Sequence, residues 1–445
     1  MAPVLPSQMP PRIFSAEEVI PVTKTILRER CTVRNTVSQT VTLSTACFEN
    51  VIKPLIDVDN RTQGELGVIA MLRYASPEQA AREASEEAVR LIGRSESEFT
   101  SREDLYLIIK AVKDKAEKLD FEAAKYLDST FKDFTRCGHG ILDRDQIKYY
   151  LDKRNEIDSL RRKFTQNVRD EDGGLWFSLE ELDGVSEKDL SRFLEVKEPN
   201  KEGMRFVRFG RAEVDAIMRY ARNPATRKKM YVADASKLTQ NIDLFKEVLV
   251  QRDGNARLLG YASHVAFRLE KRVAKSPDWV DNFLDGLEEV LIPQGKREMQ
   301  ALLERKRIYL IGNIDYPQEY HTSMPPWDYR YYNRLALENL HVEHEKISEY
   351  FPMRNTVSAM LELFTSYLQV RFVPLPPELM VGSKWHEDVE AWSVWDEREE
   401  SKGAFVGYLY ADLLWRPNKY QGSQNVNLQC VRRPCLFRKG IQRQS

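Results

Sequence analysis

Cysteine is scarce in this sequence, and the few cysteines are scattered. Among 445 residues there are only Cys31, Cys47, Cys137, Cys430 and Cys435, and no two of them form a C-x-x-C pair. A small, odd number of dispersed cysteines disfavours a disulfide framework and is typical of reduced thiols in the cytosol. We therefore expect a cytoplasmic protein.

Long apolar runs and a strong net charge are also lacking. No uncharged apolar stretch approaches the roughly 20 residues that a helix needs to cross a bilayer. The net charge of -1 gives no overall attraction to nucleic acid or to anionic membranes. We therefore expect neither nucleic acid nor a membrane as a partner.

The first residues lack the features of a targeting segment. Residues 1–13 hold four prolines and one basic residue, without the apolar core of a secretory signal or the arginine-rich pattern of a transit peptide. This composition predicts a disordered tail over residues 1–14.

Common catalytic motifs are missing as well. The sequence has no G-x-x-x-x-G-K-[ST] loop, no G-x-S-x-G elbow and no H-E-x-x-H zinc motif. His386-Glu387-Asp388-Val389-Glu390 comes nearest to the last of these, but Glu390 stands where the second histidine is required. It also leads into a β-prone run, in which residues 386 and 390 do not meet as they would on a helical turn.

A second cluster combines His341, His344 and Glu345. On a helix His341 lies near both of the others, and two imidazoles with one carboxylate can bind zinc. The simpler interpretation is a charged, solvated helix face. We expect no catalytic residue, no metal ligand and no cofactor in this chain.

What the sequence does contain is mostly helical periodicity. From Asp145 to Val168 the apolar residues recur at spacings of three, four and seven. Ser276-Pro277 predicts the start of another helix. The residues that we expect to face inward on that helix are Trp279, Val280, Phe283, Leu284, Leu287 and Val290. The pattern predicts a mainly α fold, with a helical lobe over residues 15–370.

The pattern changes after about Val370, where several prolines interrupt helix. Two runs rich in Val, Trp, Tyr and Phe follow at residues 388–395 and 405–414, joined by a polar connector that ends in Gly403. They predict an antiparallel β hairpin inside a small β-containing segment over residues 371–429. Residues 430–445 carry five basic residues and no acidic one, and we expect a basic irregular tail there.

Several stretches together resemble the thimet oligopeptidase and saccharolysin-like family of zinc metallopeptidases. They follow the order and spacing of the family from about residue 40 to about residue 429. The stretches are Phe48–Leu55, Asn223–Lys229, Arg257–Phe267, Trp327–Tyr332, Glu349–Pro352, Trp385–Val389 and Gly407–Leu413.

This resemblance implies a two-lobed helical clam whose deep channel admits short peptides and whose zinc activates water for hydrolysis. In the family the H-E-x-x-H helix, the third zinc ligand and the substrate-aligning tyrosines and histidine lie in a C-terminal half. By that comparison this chain stops a few tens of residues before the zinc helix. It departs already at Gln421–Gln424, where the family has G-H-A-A. No catalytic residue of the family falls on a position here.

We therefore expect one lobe of a truncated or split metalloendopeptidase, inactive by itself, with zinc only in full-length members. The alternative is a non-catalytic peptide-binding or protein-interaction protein derived from that family. The expected partners are short peptides, a separate catalytic fragment and further copies of the chain. Self-association is expected because aromatic residues of the hairpin region would lack their cover, namely Trp392, Trp395, Tyr408, Tyr410 and Trp415.

Overall fold

The structure is a computed structural model. It describes residues 6, 8–195, 202–311, 318–338, 344–414, 416, 419 and 424–428. The chain divides into two compact units. Unit 1 comprises Met1–Asp143 with Pro352–Ser445, and unit 2 comprises Arg144–Phe351. The domain boundaries at residues 14, 370 and 429 stay predictions, and the basic tail over residues 430–445 lies outside the described residues.

Helices dominate both units, which confirms the mainly α fold. In chain order they are α1 (Ala16–Thr40), α2 (Lys53–Ala75), α3 (Gln79–Thr100), α4 (Glu103–Asp114), α5 (Phe121–Thr135), α6 (Arg144–Arg169), α7 (Glu187–Leu190), α8 (Arg211–Tyr220), α9 (Pro224–Ala235), α10 (Asn241–Leu258), α11 (His264–Leu269), α12 (Pro277–Tyr309), α13 (Gln318–Thr322), α14 (Pro326–Glu338), α15 (His344–Glu349), α16 (Met353–Leu368) and α17 (Pro377–Met380). A π-helical turn at Phe48–Ile52 runs directly into α2. Within the described ranges, no helix is both long and apolar enough to span a membrane.

The strands form two small sheets. They are β1 (Gly174–Ser178), β2 (Met204–Arg208), β3 (Val370–Pro374), β4 (Glu390–Asp396) and β5 (Phe405–Ala411). The first two strands pair antiparallel in unit 2, and the other three form an antiparallel sheet of order β3-β4-β5 in unit 1.

The start of α1 shows how local sequence fixes an element of unit 1. Ser15 is the N-cap of α1, and the Glu18 side chain accepts a hydrogen bond from the Ser15 backbone N at 3.0 Å, which completes a capping box. Phe14, just before the cap, is only 5% exposed and packs with Val19 and Ile69 in one of the apolar cores of this unit. The chain is thus anchored at Phe14, although the predicted tail extends to that residue.

The predicted hairpin near the C-terminus is present as β4 and β5, and a third strand joins it. The sequence interpretation treated the prolines after Val370 as a simple break and missed β3. Val370 pairs with Asp396, and Pro374 is the last residue of β3, opposite Trp392. Because β3 is an edge strand, the missing N–H of Pro374 does not interrupt the centre of the sheet.

Unit 2 contains a β hairpin that the sequence did not predict. The two strands, β1 and β2, enclose a long connection that includes α7, so no short turn signal marks them. Phe177 of β1 and Val207 of β2 are fully buried, and they pack against Ile217 of α8 and Met230 of α9. The predicted helix over residues 145–168 is confirmed as α6.

The apolar face of α12 is not buried as predicted. Trp279 is 51% exposed and Val290 is 73% exposed, and all residues from Asp281 to Ala301 are exposed. The periodicity correctly indicated a helix with one apolar face. It could not show whether another element covers that face, because coverage depends on tertiary packing.

Candidate functional site

The stronger of the two candidate clusters, for which a charged helix face is the simpler interpretation, falls largely outside the described residues. This applies to His341 itself and to the side chains of His344 and Glu345. The backbone of α15 begins at His344, so the helical setting of the last two residues is present. The interpretation of this cluster as a charged helix face therefore stays a prediction.

The other candidate cluster, around His386, lies in a turn. His386 Nδ1 is 3.2 Å from the Asp388 carboxylate and accepts a hydrogen bond from the Asp388 backbone N at 3.2 Å. Glu387 lies in the same turn, and Glu390 is the first residue of β4, so residues 386 and 390 do not share a helical turn.

Zinc sites in proteins need three or four converging His, Cys, Asp or Glu ligands. Within the described ranges no group of three such side chains could hold a metal ion. The described residues therefore do not fit a zinc ion, and the expectation that the chain holds none stays a prediction.

The sheet of unit 1 brings together two of the stretches that carry the family resemblance. Trp385 Nε1 donates a hydrogen bond to Asp412 Oδ2 at 2.8 Å, and the Trp385 ring lies 5.7 Å from that of Tyr410. The turn before β4 is thereby fixed to the end of β5. We call this part of the molecule, with strands β3 to β5 and the turn at residues 381–389, the sheet site.

Asp412 is the polar centre of the sheet site. Arg416 binds both of its carboxylate oxygens, at 2.6 and 2.8 Å, and Lys419 Nζ lies 2.9 Å from Oδ1. Burial alone would raise the pKa of Asp412, but the hydrogen bonds from Arg416, Trp385 and Lys419 outweigh it and lower the pKa to about 2. Arg416 also donates to the Ala75 carbonyl at 2.8 Å, which ties the end of α2 to this network.

One edge of the sheet is open. Among the described residues β5 pairs with β4 alone, so its outer backbone groups have no strand partner. Val406 and Leu409 of β5 are 49% and 36% exposed. An open strand edge can accept an extended peptide as an additional strand.

A cavity of about 470 Å³ lies beside this sheet. Its apolar lining includes Leu375, Met380, Val389 and Trp392. Lys384 also lines it, with its Nζ donating to the Glu387 carbonyl at 3.0 Å. Glu390 lines it as well, so this largely apolar cavity has one cation and one carboxylate at its wall and is suited to a side chain.

The aromatic residues predicted to be exposed on the hairpin are partly covered. Trp395 is only 4% exposed, and its Nε1 donates to Ser393 Oγ at 2.9 Å. Trp392, Tyr408 and Tyr410 are half-buried, and Trp415 lies outside the described residues. The exposure prediction is therefore wrong for Trp395, because that side chain points to the covered face of the sheet.

Unit 2 has its own polar centre, formed by Arg227, Lys306 and Asp328, which we call the Asp328 centre. Asp328 Oδ1 accepts from Arg227 Nη2 at 2.6 Å, and Oδ2 accepts from Lys306 Nζ at 2.8 Å. The three side chains are at most 1% exposed. Helices α9, α12 and α14 are joined in this way.

The surroundings of the Asp328 centre satisfy its charges. Arg227 also donates to the Ala221 carbonyl at the end of α8, at 2.7 Å, and Lys306 to the Ser323 carbonyl at 3.0 Å. Lys306 Nζ lies 3.4 Å from the centre of the Tyr320 ring, a cation–π contact. Burial lowers the pKa of Lys306, and its hydrogen bond with Asp328 opposes that shift. Such a closed, buried network gives a substrate no access.

Sequence reasoning misjudged part of this centre. Arg227, Lys228 and Lys229 are three consecutive basic residues on a helix, a pattern that favours a face turned to solvent. Lys228 and Lys229 are exposed as this pattern indicates, but Arg227 is buried. Arg227 is buried because Asp328, 101 residues further along the chain, compensates its charge. The only available signal was that both residues lie in stretches that resemble the family, and nothing in the sequence pointed to Lys306.

Comparisons with known proteins agree with these motifs. The model of a family described as "Peptidase family M3" matches residues 217–444, just over half of the chain. Saccharolysin from Saccharomyces cerevisiae is 27% identical over 436 residues, covering 96% of this chain and 60% of that protein. Oligopeptidase A from Haemophilus influenzae is 27% identical and covers 91% of this chain and 62% of its own length. A probable thimet oligopeptidase from Arabidopsis thaliana is 27% identical, and the alignment covers 94% of this chain and 56% of that protein.

Proposed function

The chain belongs to peptidase family M3, and we propose from this membership that it serves the hydrolysis of short peptides as part of a zinc-dependent oligopeptidase. The observation that carries the proposal is the alignment of more than 90% of the chain with proteins named as oligopeptidases. The chain spans about 60% of the length of these relatives.

We further propose that these 445 residues do not hydrolyse peptides by themselves. The support is the sequence, which contains no H-E-x-x-H motif. A zinc peptidase of this type needs that motif both for two metal ligands and for the general base.

Quenched fluorescent peptides of about five to fifteen residues test this proposal, in the size range that the family resemblance implies. The purified chain, supplied with zinc, should cleave none of them above the rate of a buffer blank. Chelator-sensitive cleavage that is lost in His341→Ala, but kept in the control His386→Ala, would contradict the proposed inactivity and assign a metal to the residue 341–345 cluster.

A second candidate function is peptide binding without hydrolysis. The observation that favours it is the open edge of β5 in the sheet site. A labelled extended peptide should bind with a Kd in the micromolar to millimolar range. The same peptide with every backbone nitrogen methylated should not bind, because neither of its edges can then donate hydrogen bonds to a strand. Equal binding of both peptides would exclude strand pairing as the mode of recognition.

We propose a cytoplasmic location. It is supported by Cys31, Cys47 and Cys137, which are free thiols in the described chain. Fractionation of cells that express the protein tests this, and recovery in a secreted or organelle fraction would contradict it.

A further inference from the structure

The long helix α12 is exposed around its circumference for much of its length. Every residue from Asp281 to Ala301 is exposed. The helix is held in unit 2 near its C-terminal end, where Leu302 and Lys306 are buried. The preceding turns therefore offer a free helical surface.

One side of this surface is apolar. Its residues lie at helical spacings of three and four and are between 42% and 73% exposed. We call them the α12 stripe: Trp279, Phe283, Leu284, Leu287, Val290 and Leu291. The Trp279 and Phe283 rings stack with their centres 5.5 Å apart, which makes a continuous aromatic patch at one end. A contiguous exposed apolar face of this kind is typical of an interaction surface.

Along the turns of α12 that carry the stripe, the charged residues all have one sign, while Lys275 and Lys296 lie just beyond its two ends. Residues 277–292 include no basic residue and five acidic ones, namely Asp278, Asp281, Asp285, Glu288 and Glu289. None of the five forms an ion pair with a described residue. Asp281 and Glu288 lie one turn from Leu284 and so border the stripe along one side.

This charge pattern selects among occupants. A second copy of the chain that placed its own stripe against this one would bring acidic side chains together, which is unfavourable. A helix with an apolar face flanked by lysine or arginine would cover the stripe and neutralise its border.

We propose that the α12 stripe is a docking surface for a basic amphipathic helix of another polypeptide. The partner helix lies along Trp279–Leu291, a length of about 18 Å at 1.5 Å per residue. The apolar residues of the partner helix pack between Phe283 and Leu287, and its basic residues form ion pairs with Asp281 and Glu288. The proposal does not depend on the peptidase function.

Two synthetic helices of equal length test the proposal in fluorescence anisotropy titrations of the full chain. Both carry leucine on one face, and one has lysine and the other glutamate on the flanks. The lysine probe should bind at least tenfold more tightly than the glutamate probe, and added salt should reduce the difference. Equal affinity for the two probes would overturn the proposal.

Variants locate the binding surface. Leu287→Asp should reduce the affinity of the chain for the lysine probe at least tenfold. The control Leu249→Asp, at a residue 47% exposed on α10, should leave its affinity unchanged. Asp281→Lys combined with Glu288→Lys should reverse the preference between the probes. Both altered positions are exposed, and circular dichroism verifies that the variants stay folded.

Two results would contradict the assignment. Lysine-probe binding that survives Leu287→Asp would place the probe elsewhere. Sedimentation of the free chain as a dimer that Leu287→Asp converts to a monomer would assign the stripe to a second copy.

Discussion

At the scale of single residues, one carboxylate is the ion-pair partner of two buried cations in unit 2. Asp328 is fully buried and is the shared partner of Arg227 and Lys306. A buried ion pair adds little net stability over an apolar replacement, but the loss of one partner leaves an uncompensated charge and is costly. The cost of mutation should therefore depend on which member is removed.

Asp328→Asn should lower the free energy of unfolding by roughly 3–5 kcal/mol, because an amide cannot balance two buried cations. Lys306→Met should cost less, since it leaves Arg227 and Asp328 as a neutral pair. Urea unfolding followed by circular dichroism measures both changes. The control Asp243→Asn, at a side chain 96% exposed, should change the value by less than about 0.5 kcal/mol. An Asp328→Asn protein as stable as the control would show that the centre is not a stabilising network.

Asp412 should make the stability of unit 1 depend on pH. Its pKa is about 2 in the folded protein, below the ordinary aspartate value of 3.8. A depressed carboxyl pKa stabilises the folded state above the unfolded pKa, and that contribution is lost as the pH falls from about 4 towards 2. The shift corresponds to about 2 kcal/mol.

Comparison of the wild-type chain with Asp412→Asn isolates this contribution. The difference in free energy of unfolding should be greatest near neutral pH and should shrink below about pH 4. Glu399→Gln, at an exposed position, serves as the control and should follow the wild-type pH profile. A difference that stays constant from pH 7 to pH 2.5 would mean that Asp412 acts by packing and not by charge.

At the scale of elements, three described non-glycine residues have a positive φ, namely Ala116, Leu238 and Gln369, and the last of them lies at the junction of a helix and a sheet. Gln369 follows α16 with φ 52° and ψ 49°, the left-handed region, and its side chain is exposed. This conformation costs a non-glycine residue roughly 1–2 kcal/mol. Its carbonyl accepts a hydrogen bond from Glu397 N at 2.8 Å, so the junction between α16 and the sheet holds it there.

Gln369→Gly should raise the free energy of unfolding by about 0.5–1 kcal/mol, because relief of strain exceeds the added entropy of the unfolded chain. Gln369→Ala keeps the strain and should leave stability nearly unchanged. Thermal unfolding of the two variants in parallel measures the effect. If alanine stabilised the protein as much as glycine, backbone strain would not be the cause.

The sequence predicted those elements whose signal is local. The periodicity of α6, the start of α12 at Ser276-Pro277 and the hairpin β4–β5 can all be seen within short windows. The missed strands β1 and β2 pair across a connection of about 25 residues that contains α7, and β3 ends in a proline that usually signals a break. In these cases tertiary pairing, not local propensity, decides the structure.

The polar centres were beyond sequence reasoning for the same physical reason. Arg227 and Asp328 are 101 residues apart, and Lys306 joins them from a third helix. The hydrogen bond between Trp385 and Asp412 likewise depends on the formation of the sheet. Resemblance marked most of these stretches as significant, but only the fold shows which side chains meet.

At the scale of the whole molecule, exposed apolar surface is concentrated on particular elements. Helix α16 has a largely uncovered apolar side, including Met360, Leu363, Phe364, Tyr367 and Leu368, each at least 40% exposed. The sheet site adds the open edge of β5. These features replace the buried Trp395 as the basis for expecting association with other chains.

We therefore expect the purified chain to self-associate at micromolar concentration. Burial of apolar surface contributes a free energy of about 25 cal/mol per Å² to association, and an open strand edge provides a template for pairing. Sedimentation velocity should show species larger than a monomer, together with binding of a hydrophobic dye. Leu363→Glu combined with Tyr367→Glu should shift the distribution towards monomer, whereas Leu287→Asp on α12 should not, because the acidic border of that stripe disfavours a second copy.

We also propose that the chain pairs with a catalytic fragment. If so, adding the part of saccharolysin that has no counterpart in this chain should reduce self-association. A monodisperse monomer that binds no dye would contradict the prediction of self-association and would favour a stand-alone binding protein over one part of an oligopeptidase.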